Sequence, residues 1–251
     1  GLAAPIAAAP VPEAHPLTAF AGPTWSVRDA ELATGERLDA DLRFTPLFGG
    51  TAVHEQVRMR LRYRDTELAF TYETLHAAPG GDGAFDSVTV GSDATILERR
   101  SRMVAGGLVS ETVRRSDGGR LGRRGLELRD GELRWRIQED RGPDVAARVV
   151  LEAVLRGPAA DSPPLPPPPA TVDGPAAILA PLAGSWRTEA RWSSGQRLEG
   201  RQEMRLGPGD GFLWVDTFAR DGGGPEYHRY AGFHARDPEL GWRAFAVDMT
   251  G

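Results

Sequence analysis

The chain has 251 residues, of which 40% are hydrophobic and 26% charged, a balance typical of a globular protein and not of a disordered chain. Its formal charge of −5 argues against clustered positive charge, so we expect no nucleic acid and no anionic membrane surface as a partner. The chain contains no Cys and no Lys, which excludes disulfides, thiol catalysis and lysine Schiff bases.

All 30 basic residues are Arg, a usage typical of GC-rich bacterial coding. The absence of Cys fits the bacterial cytoplasm and the periplasm equally. No apolar run approaches the roughly 20 residues that a membrane-spanning helix needs. We therefore expect a chain that does not cross a membrane by a helix.

Two proline-rich stretches divide the chain. The segment 1–15 is rich in Ala and Pro, and we predict that it is disordered. The segment 157–175 is denser still in proline, which forbids helix and central strand and predicts a stiff polyproline linker. They leave two modules, at 16–156 and 176–251. Each begins with a predicted short helical turn, at 17–21 and at 176–183.

Alternating apolar and charged residues predict β-strands in the first module. Val57, Met59 and Leu61 alternate with Arg58 and Arg60, which is the period of two that a strand with one apolar face shows. We expect the arginine side of this strand to be solvated, and we assign the same role to the arginines at 62, 64, 99, 100, 102, 114, 115, 120, 123 and 124. The same alternation continues at 68–72, 133–137 and 149–155.

Glycine-rich turns separate these runs. They occur at Gly81-Asp82-Gly83, at 117–119 and at Asp130-Gly131, where glycine supplies the positive φ of a tight hairpin. We count nine or ten strands in the first module. An antiparallel meander of that size best hides its edges by closing, so we predict an all-β, up-and-down barrel, with a sandwich as the alternative.

The two modules match each other at three places. The offset between matched residues changes only from 162 to 158 along the chain, which predicts an internal duplication. The matches pair Leu17, Phe20 and Trp25 with Leu179, Leu182 and Trp186; Gly35-Glu36-Arg37-Leu38 with Gly195-Gln196-Arg197-Leu198; and Tyr72 and His76 with Tyr230 and His234.

The second module carries residues of a known pattern. Gly184-Ser185-Trp186 resembles the Gly-x-Trp signature that opens the first strand of lipocalin-like (calycin) barrels. The segments 211–215 and 230–238 resemble a bacterial domain-of-unknown-function family of such barrels. In that family another half-barrel follows, so the resemblance implies that 176–251 is the N-terminal half of a second, truncated copy.

The resemblance also implies structural roles for the signature residues. In lipocalins the signature Trp plugs the closed end of the barrel and packs against an Arg of the last strand. The corresponding residues here are Gly22, Trp25 and Arg156 in the first copy, and Gly184 and Trp186 in the second. We expect a structural role for Trp25 and not a ligand contact.

The candidate ligand-binding residues are those that the strand pattern turns inward: Phe70, Tyr72, His76 and Trp135, with Tyr230 and His234 in the second module. Three functions remain open. The first, borrowed mostly from the calycin resemblance, is a barrel that binds a small, largely apolar molecule. The second is an enzyme that uses Tyr72 and His76 as acid and base. The third is a structural or interaction module with a filled barrel.

We expect no metal and no cofactor. The five His are too scattered to supply the three or four convergent ligands of a zinc site. Haem-carrying barrels with a similar opening segment use a His near the end of the barrel, and no His lies between His76 and His228. The sequence contains no Gly-x-Ser-x-Gly elbow and no phosphate-binding glycine loop.

Overall fold

The computed structural model describes residues 13–105, 107–115, 122–140, 145–157, 164–166, 174–191, 197–221 and 224–248. Most of the predicted disordered segment and most of the predicted linker lie outside the described residues.

The first module is a closed antiparallel barrel, which confirms the predicted fold class. Every strand pairs with its neighbour in the chain, and β1 closes the barrel against β10 where Ser26 lies opposite Arg156. The ten strands are β1 (Thr24–Glu31), β2 (Arg37–Leu47), β3 (Ala52–Tyr63), β4 (Thr66–His76), β5 (Ala84–Gly91), β6 (Ile96–Val104), β7 (Gly107–Arg115), β8 (Gly122–Arg129), β9 (Glu132–Glu139) and β10 (Arg148–Arg156).

One end of the barrel is filled by apolar side chains. A short 3-10 helix (Pro16–Phe20) precedes β1 and buries Leu17 and Phe20. These pack with Trp25, Phe44 and Phe85 in one core cluster. We call this the closed end, since the helix and its packing fill the space between the strands.

His15 fixes the start of this helix. Its Nδ1 accepts a hydrogen bond from the Leu17 backbone N–H (3.1 Å), and its Nε2 donates to the Ala77 carbonyl (3.1 Å). A ring that accepts at one nitrogen and donates at the other is neutral. Burial, with the nearby His76 as a smaller cause, lowers the pKa of His15 to about 4.

The second module is a five-stranded antiparallel sheet in chain order, as expected for a partial barrel. A second 3-10 helix (Ala177–Leu182) precedes it. Its strands are β11 (Gly184–Arg191), β12 (Arg197–Leu206), β13 (Phe212–Asp221), β14 (Tyr227–Asp237) and β15 (Gly241–Asp248).

The strand register of this sheet repeats that of the first strands of the barrel. Trp186 lies opposite Gln202, as Trp25 lies opposite Leu42. Leu213 lies opposite His234, as Val53 lies opposite His76. The residue offsets between these pairs equal the offsets between the matching sequence segments. The corresponding strands of the two units are therefore paired in the same register.

The five-stranded sheet packs against the outside of the barrel. An apolar cluster joins Leu75, Val90 and Ile96 on the barrel exterior to Trp214 and Phe233 of the sheet. Further members of the cluster are Ala52, Phe212, Ala231, Ala235 and Val247. The barrel therefore has apolar residues on both faces of β4 to β6.

Two ion pairs flank this apolar interface. Arg205 of β12 donates to the buried carboxylate of Glu73 on β4 (3.2 Å), and Arg243 of β15 donates to Glu98 on β6 (2.5 Å). Burial alone would raise the pKa of Glu73, but the contact with His54 (3.2 Å from Nε2 to a carboxylate oxygen) and the charge of Arg205 lower it. Glu73 is therefore a charged group held between the two sheets.

Candidate functional site

The half of the barrel away from the closed end contains a cavity of about 460 Å³. Apolar side chains form most of its wall: Val57, Met59, Leu61, Leu97, Trp135, Ile137 and Leu151. It opens toward the turn between β5 and β6, where Asp93 and Thr95 line it. We call this opening the mouth.

The inner end of the cavity is polar. Its lining side chains are Glu55, Thr74, Thr89, Arg99, Arg124 and Trp135, which we call the floor. Glu55 lies opposite Thr74 across β3 and β4, and Thr74 lies opposite Thr89 across β4 and β5, so the register places the three in one row. Except for Arg99, which is half-buried, every floor residue is at least nine-tenths buried.

A closed ion-pair network occupies one side of the floor. Arg124 binds both carboxylate oxygens of Glu55, with Nη1 2.8 Å from Oε2 and Nη2 on Oε1. His76 lies on the closed-end side of this pair, and its Nε2 is 3.0 Å from Glu55 Oε2. A carboxylate only accepts, so Nε2 carries the proton and donates.

The charges in this network can be assigned from their surroundings. Burial alone would raise the pKa of Glu55, but the Arg124 charge and the hydrogen bonds from His76 and Arg124 lower it well below its ordinary value. Burial lowers the pKa of His76, and its contact with Glu55 offsets this only in part. The network is thus a carboxylate, a guanidinium and a neutral imidazole.

A chain of hydroxyl groups occupies the other side of the floor. Thr74 Oγ1 and Thr89 Oγ1 are 2.7 Å apart, and Arg99 Nη1 donates to Thr89 Oγ1 at 2.6 Å. Trp135, which is 3% exposed, also lines the cavity, and the Arg124 guanidinium carbon lies over its ring, 5.7 Å from the ring centroid. Within the described parts of the chain, its indole Nε1 has no hydrogen-bond partner.

The predicted ligand-binding residues of the barrel lie at different depths between the mouth and the closed end. Tyr72 and Trp135 line the cavity. Phe70 stacks on Tyr72 with ring centroids 6.2 Å apart and does not line the cavity itself. His76 lies below the floor and does not line the cavity either.

Tyr72 and His76 do not form a catalytic pair in this structure. The Tyr72 hydroxyl donates to Asp93 at the mouth (3.2 Å), whereas His76 binds Glu55 below the floor. General acid–base catalysis requires both groups within hydrogen-bond reach of one substrate. The geometry therefore gives the enzyme hypothesis no support.

Tyr230 and His234 lie on the sheet face that points away from the barrel. They share a strand parity, while the alternate residues Ala231, Phe233 and Ala235 are buried against the barrel. His234 is exposed. The structure does not bring these two candidates near the cavity.

The signature tryptophans make matching hydrogen bonds. Trp25 Nε1 donates to the carbonyl of Phe20 at 2.9 Å, and Trp186 Nε1 donates to that of Leu182 at 2.7 Å. Each acceptor is the last residue of the preceding 3-10 helix. Gly22 and Gly184, which follow these helices, both have positive φ (109° and 134°), where a side chain would be strained.

Arg156 does not cover Trp25, so that implied contact is wrong. Its side chain is 79% exposed and binds Glu132 on the outside of the barrel. The reason is strand parity, because the neighbouring Leu155 is fully buried in the core and residues next to each other in a strand face opposite sides.

The assignment of all arginines to the solvated exterior is wrong for two of them. Arg58 and Arg60 do lie on the outer face, where Arg58 donates to the Leu165 carbonyl (3.1 Å) and Arg60 pairs with Glu67 (3.3 Å). Arg99 and Arg124 instead line the cavity. The side chains of Arg114, Arg115 and Arg120 lie outside the described residues.

Strand parity is the signal that could have located the buried charges. Glu55 is two residues from Val57, and Arg124 is two residues from Leu126, whose side chains are buried inside the barrel. A residue two positions from an inward residue also points inward. The charges of Glu55 and Arg124 suggested that their side chains are exposed to solvent. The ion pair between them makes their burial possible.

Neither a known family model nor a curated protein sequence matches the chain. No cluster of three or more His, Asp or Glu that could hold a metal ion occurs among the residues that the structure describes. In the same residues, no helix is long and apolar enough to cross a membrane. The fold and the cavity therefore carry the functional argument alone.

Proposed function

We propose that the N-terminal barrel binds a small, largely apolar molecule in its interior. The observation that carries the proposal is the cavity of about 460 Å³, whose wall is mainly aliphatic and aromatic. This volume is within the usual range of small-molecule sites, which are mostly apolar with a few polar groups that fix orientation. A barrel whose own side chains filled its interior would be more stable than one that leaves this volume, so the cavity favours ligand binding over a purely structural barrel.

Native mass spectrometry of the full chain, followed by organic extraction, tests this function. We expect a fraction of the protein to carry a mass increment that disappears after extraction, with a small apolar compound in the organic phase. Met59→Trp, which places an indole in the cavity, should abolish the increment. The same increment in Met59→Trp would contradict binding in the cavity.

Arg60→Trp is the matched control. Position 60 is next to 59 but on the outer face of β3, where Arg60 pairs with the exposed Glu67. It introduces the same indole outside the barrel. We expect this variant to retain the increment.

We also propose that the chain is a tandem duplication of a lipocalin-like barrel, with β11 to β15 as the first half of a second copy. Support comes from the shared register, from the matching tryptophan hydrogen bonds and from the collinear sequence matches. The test is to align homologues of each segment separately. The two profiles should match each other at offsets near 160, and the absence of any such match would contradict the duplication.

A further inference from the structure

Residues 164–166 of the proline-rich linker dock on the outer face of the barrel. Leu165 is 8% exposed, whereas its neighbours Pro164 and Pro166 are exposed to solvent. The leucine side chain is therefore the part of this segment that is turned toward the protein. A residue between prolines favours the extended polyproline conformation, in which the backbone makes no internal hydrogen bonds. Both backbone groups of Leu165 are thus available to the barrel.

Side chains of two barrel strands bind these two backbone groups. The Leu165 N–H donates to Asp41 Oδ2 at 2.8 Å, and the Leu165 carbonyl accepts from Arg58 Nη1 at 3.1 Å. Asp41 of β2 lies directly opposite Arg58 of β3, so the barrel register places an acceptor and a donor side by side. This pair is complementary to the N–H and the carbonyl of one extended residue.

The acceptor is held in place by the barrel itself. Asp41 is 6% exposed, and its Oδ1 accepts from Ser26 Oγ (2.6 Å) and binds Arg28 Nη2 (2.8 Å), which leaves Oδ2 to the linker. Leu165 is the only residue from 163 to 169 that is not proline, so it carries the only backbone N–H of this run. The buried carboxylate therefore binds the one donor that the run offers.

We propose that the outer cross-strand row of Ser26, Asp41 and Arg58 is a recognition site for an extended, proline-flanked leucine, and that the linker of the same chain is its resident ligand. The site recognises three features of the segment: the leucine side chain, its N–H and its carbonyl. None of the three barrel residues lines the cavity, so this inference does not depend on the proposed function. Its effect is to fix the linker on the barrel between the two modules.

A fluorescein-labelled peptide with the sequence of residues 161–170 tests the recognition by fluorescence anisotropy against the full chain. Leu165→Pro removes the resident side chain and its N–H, so we expect this variant to bind the peptide saturably. Wild type should bind it at least about tenfold more weakly, since a tethered segment competes at an effective concentration in the millimolar range. No binding to the folded variant would overturn the recognition site, and equal binding by both proteins would overturn its occupation by the linker.

Two altered peptides test which features of the leucine are recognised. N-methylation of the residue at position 165 removes only its N–H, and Leu165→Ala in the peptide removes most of the side chain. Each should bind the Leu165→Pro chain about tenfold more weakly, because the first loses a hydrogen bond to a charged group and the second loses apolar burial. Unchanged affinity of the N-methylated peptide would overturn the role assigned to Asp41.

Arg58→Gln, introduced together with Leu165→Pro, tests the contact with the carbonyl. We expect the double variant to bind the unaltered peptide severalfold more weakly than Leu165→Pro alone. Arg60→Gln in the same background is the matched control, because Arg60 also faces outward on β3 but pairs with Glu67. Equal losses in the two double variants would overturn the contact assigned to Arg58.

Hydrogen exchange in the unaltered protein tests the docked state without any change at the site. In NMR spectra of the chain labelled with isotopic leucine, the Leu165 N–H signal is the one that is absent from Leu165→Pro. This N–H should exchange with deuterium at least about a hundredfold more slowly than in the free peptide, because Asp41 holds it. Exchange at the rate of the free peptide would overturn the proposal.

Discussion

Glu55 and Arg124 form a buried ion pair in the interior of the barrel. Both side chains are nearly inaccessible, at 0% and 6% exposure. Removing one member of a buried pair leaves the other charge without compensation. Glu55→Gln should therefore lower the free energy of unfolding by about 3 kcal/mol, as measured by urea denaturation.

Glu132→Gln provides the comparison for Glu55→Gln. It breaks the Glu132–Arg156 pair, in which the arginine is 79% exposed. Exposed pairs contribute little because water screens them, so we expect a change within about 0.5 kcal/mol. Equal losses in the two variants would show that the buried pair has no special role.

His15 should make the stability of the protein depend on pH. Its folded pKa of about 4 is lower than the ordinary value of 6.5, so the unfolded chain binds a proton more readily in this interval. The contribution of His15 to the free energy of unfolding is fully present above pH 6.5 and is lost as the pH falls toward 4. Protonation also removes the acceptor that caps the Leu17 N–H.

His15→Asn isolates this effect, because Asn can cap the helix without titrating in this range. Between pH 7 and pH 4, wild type should lose about 3 kcal/mol more unfolding free energy than His15→Asn loses. Urea denaturation at several pH values measures it. A difference that stays constant over this range would contradict the assigned pKa.

The five-stranded sheet depends on the barrel to cover its apolar face. Phe233 is 1% exposed and contacts Trp214 and Phe212 within the interface cluster. Phe233→Ala should lower the free energy of unfolding by about 3–5 kcal/mol, since it opens a cavity in packed surroundings. Thermal unfolding by circular dichroism would show it as a lower Tm of the transition that includes the sheet.

Trp242→Ala is the control on the opposite face of the same sheet. Trp242 is 44% exposed, and its neighbour Arg243 points toward the barrel. We expect little change in Tm. A larger loss for Trp242→Ala than for Phe233→Ala would mean that the sheet buries its other face.

At the scale of the elements, the alternation of apolar and polar residues predicted most of the strands. It did not predict, for every strand, which side chains point into the barrel. In β3 the apolar residues Val57, Met59 and Leu61 do face the interior, as the pattern indicates. In β5 the polar Thr89 faces the interior and the apolar Val90 faces outward. Hydrophobic alternation fails there because both faces are buried, one around the polar floor and one against the second sheet.

At the scale of the whole molecule, the sequence predicted a barrel and a partial second unit but not how the two meet. Contact between sheets depends on which outer surfaces are apolar, and the Arg-rich strand β3 suggested a solvated exterior. The buried ion pair of the floor escaped prediction for a related reason, because Glu55 and Arg124 are 69 residues apart. Only the closure of the barrel brings them together.

The central claim is that this cavity is the binding site, and fluorescence titration with 1-aminoanthracene, a largely apolar aromatic probe, tests it most directly. Wild type and Arg60→Trp should show saturable binding with similar Kd, whereas Met59→Trp, with the cavity filled, should show none. Undiminished binding by a folded Met59→Trp protein, or no binding by wild type, would contradict the account.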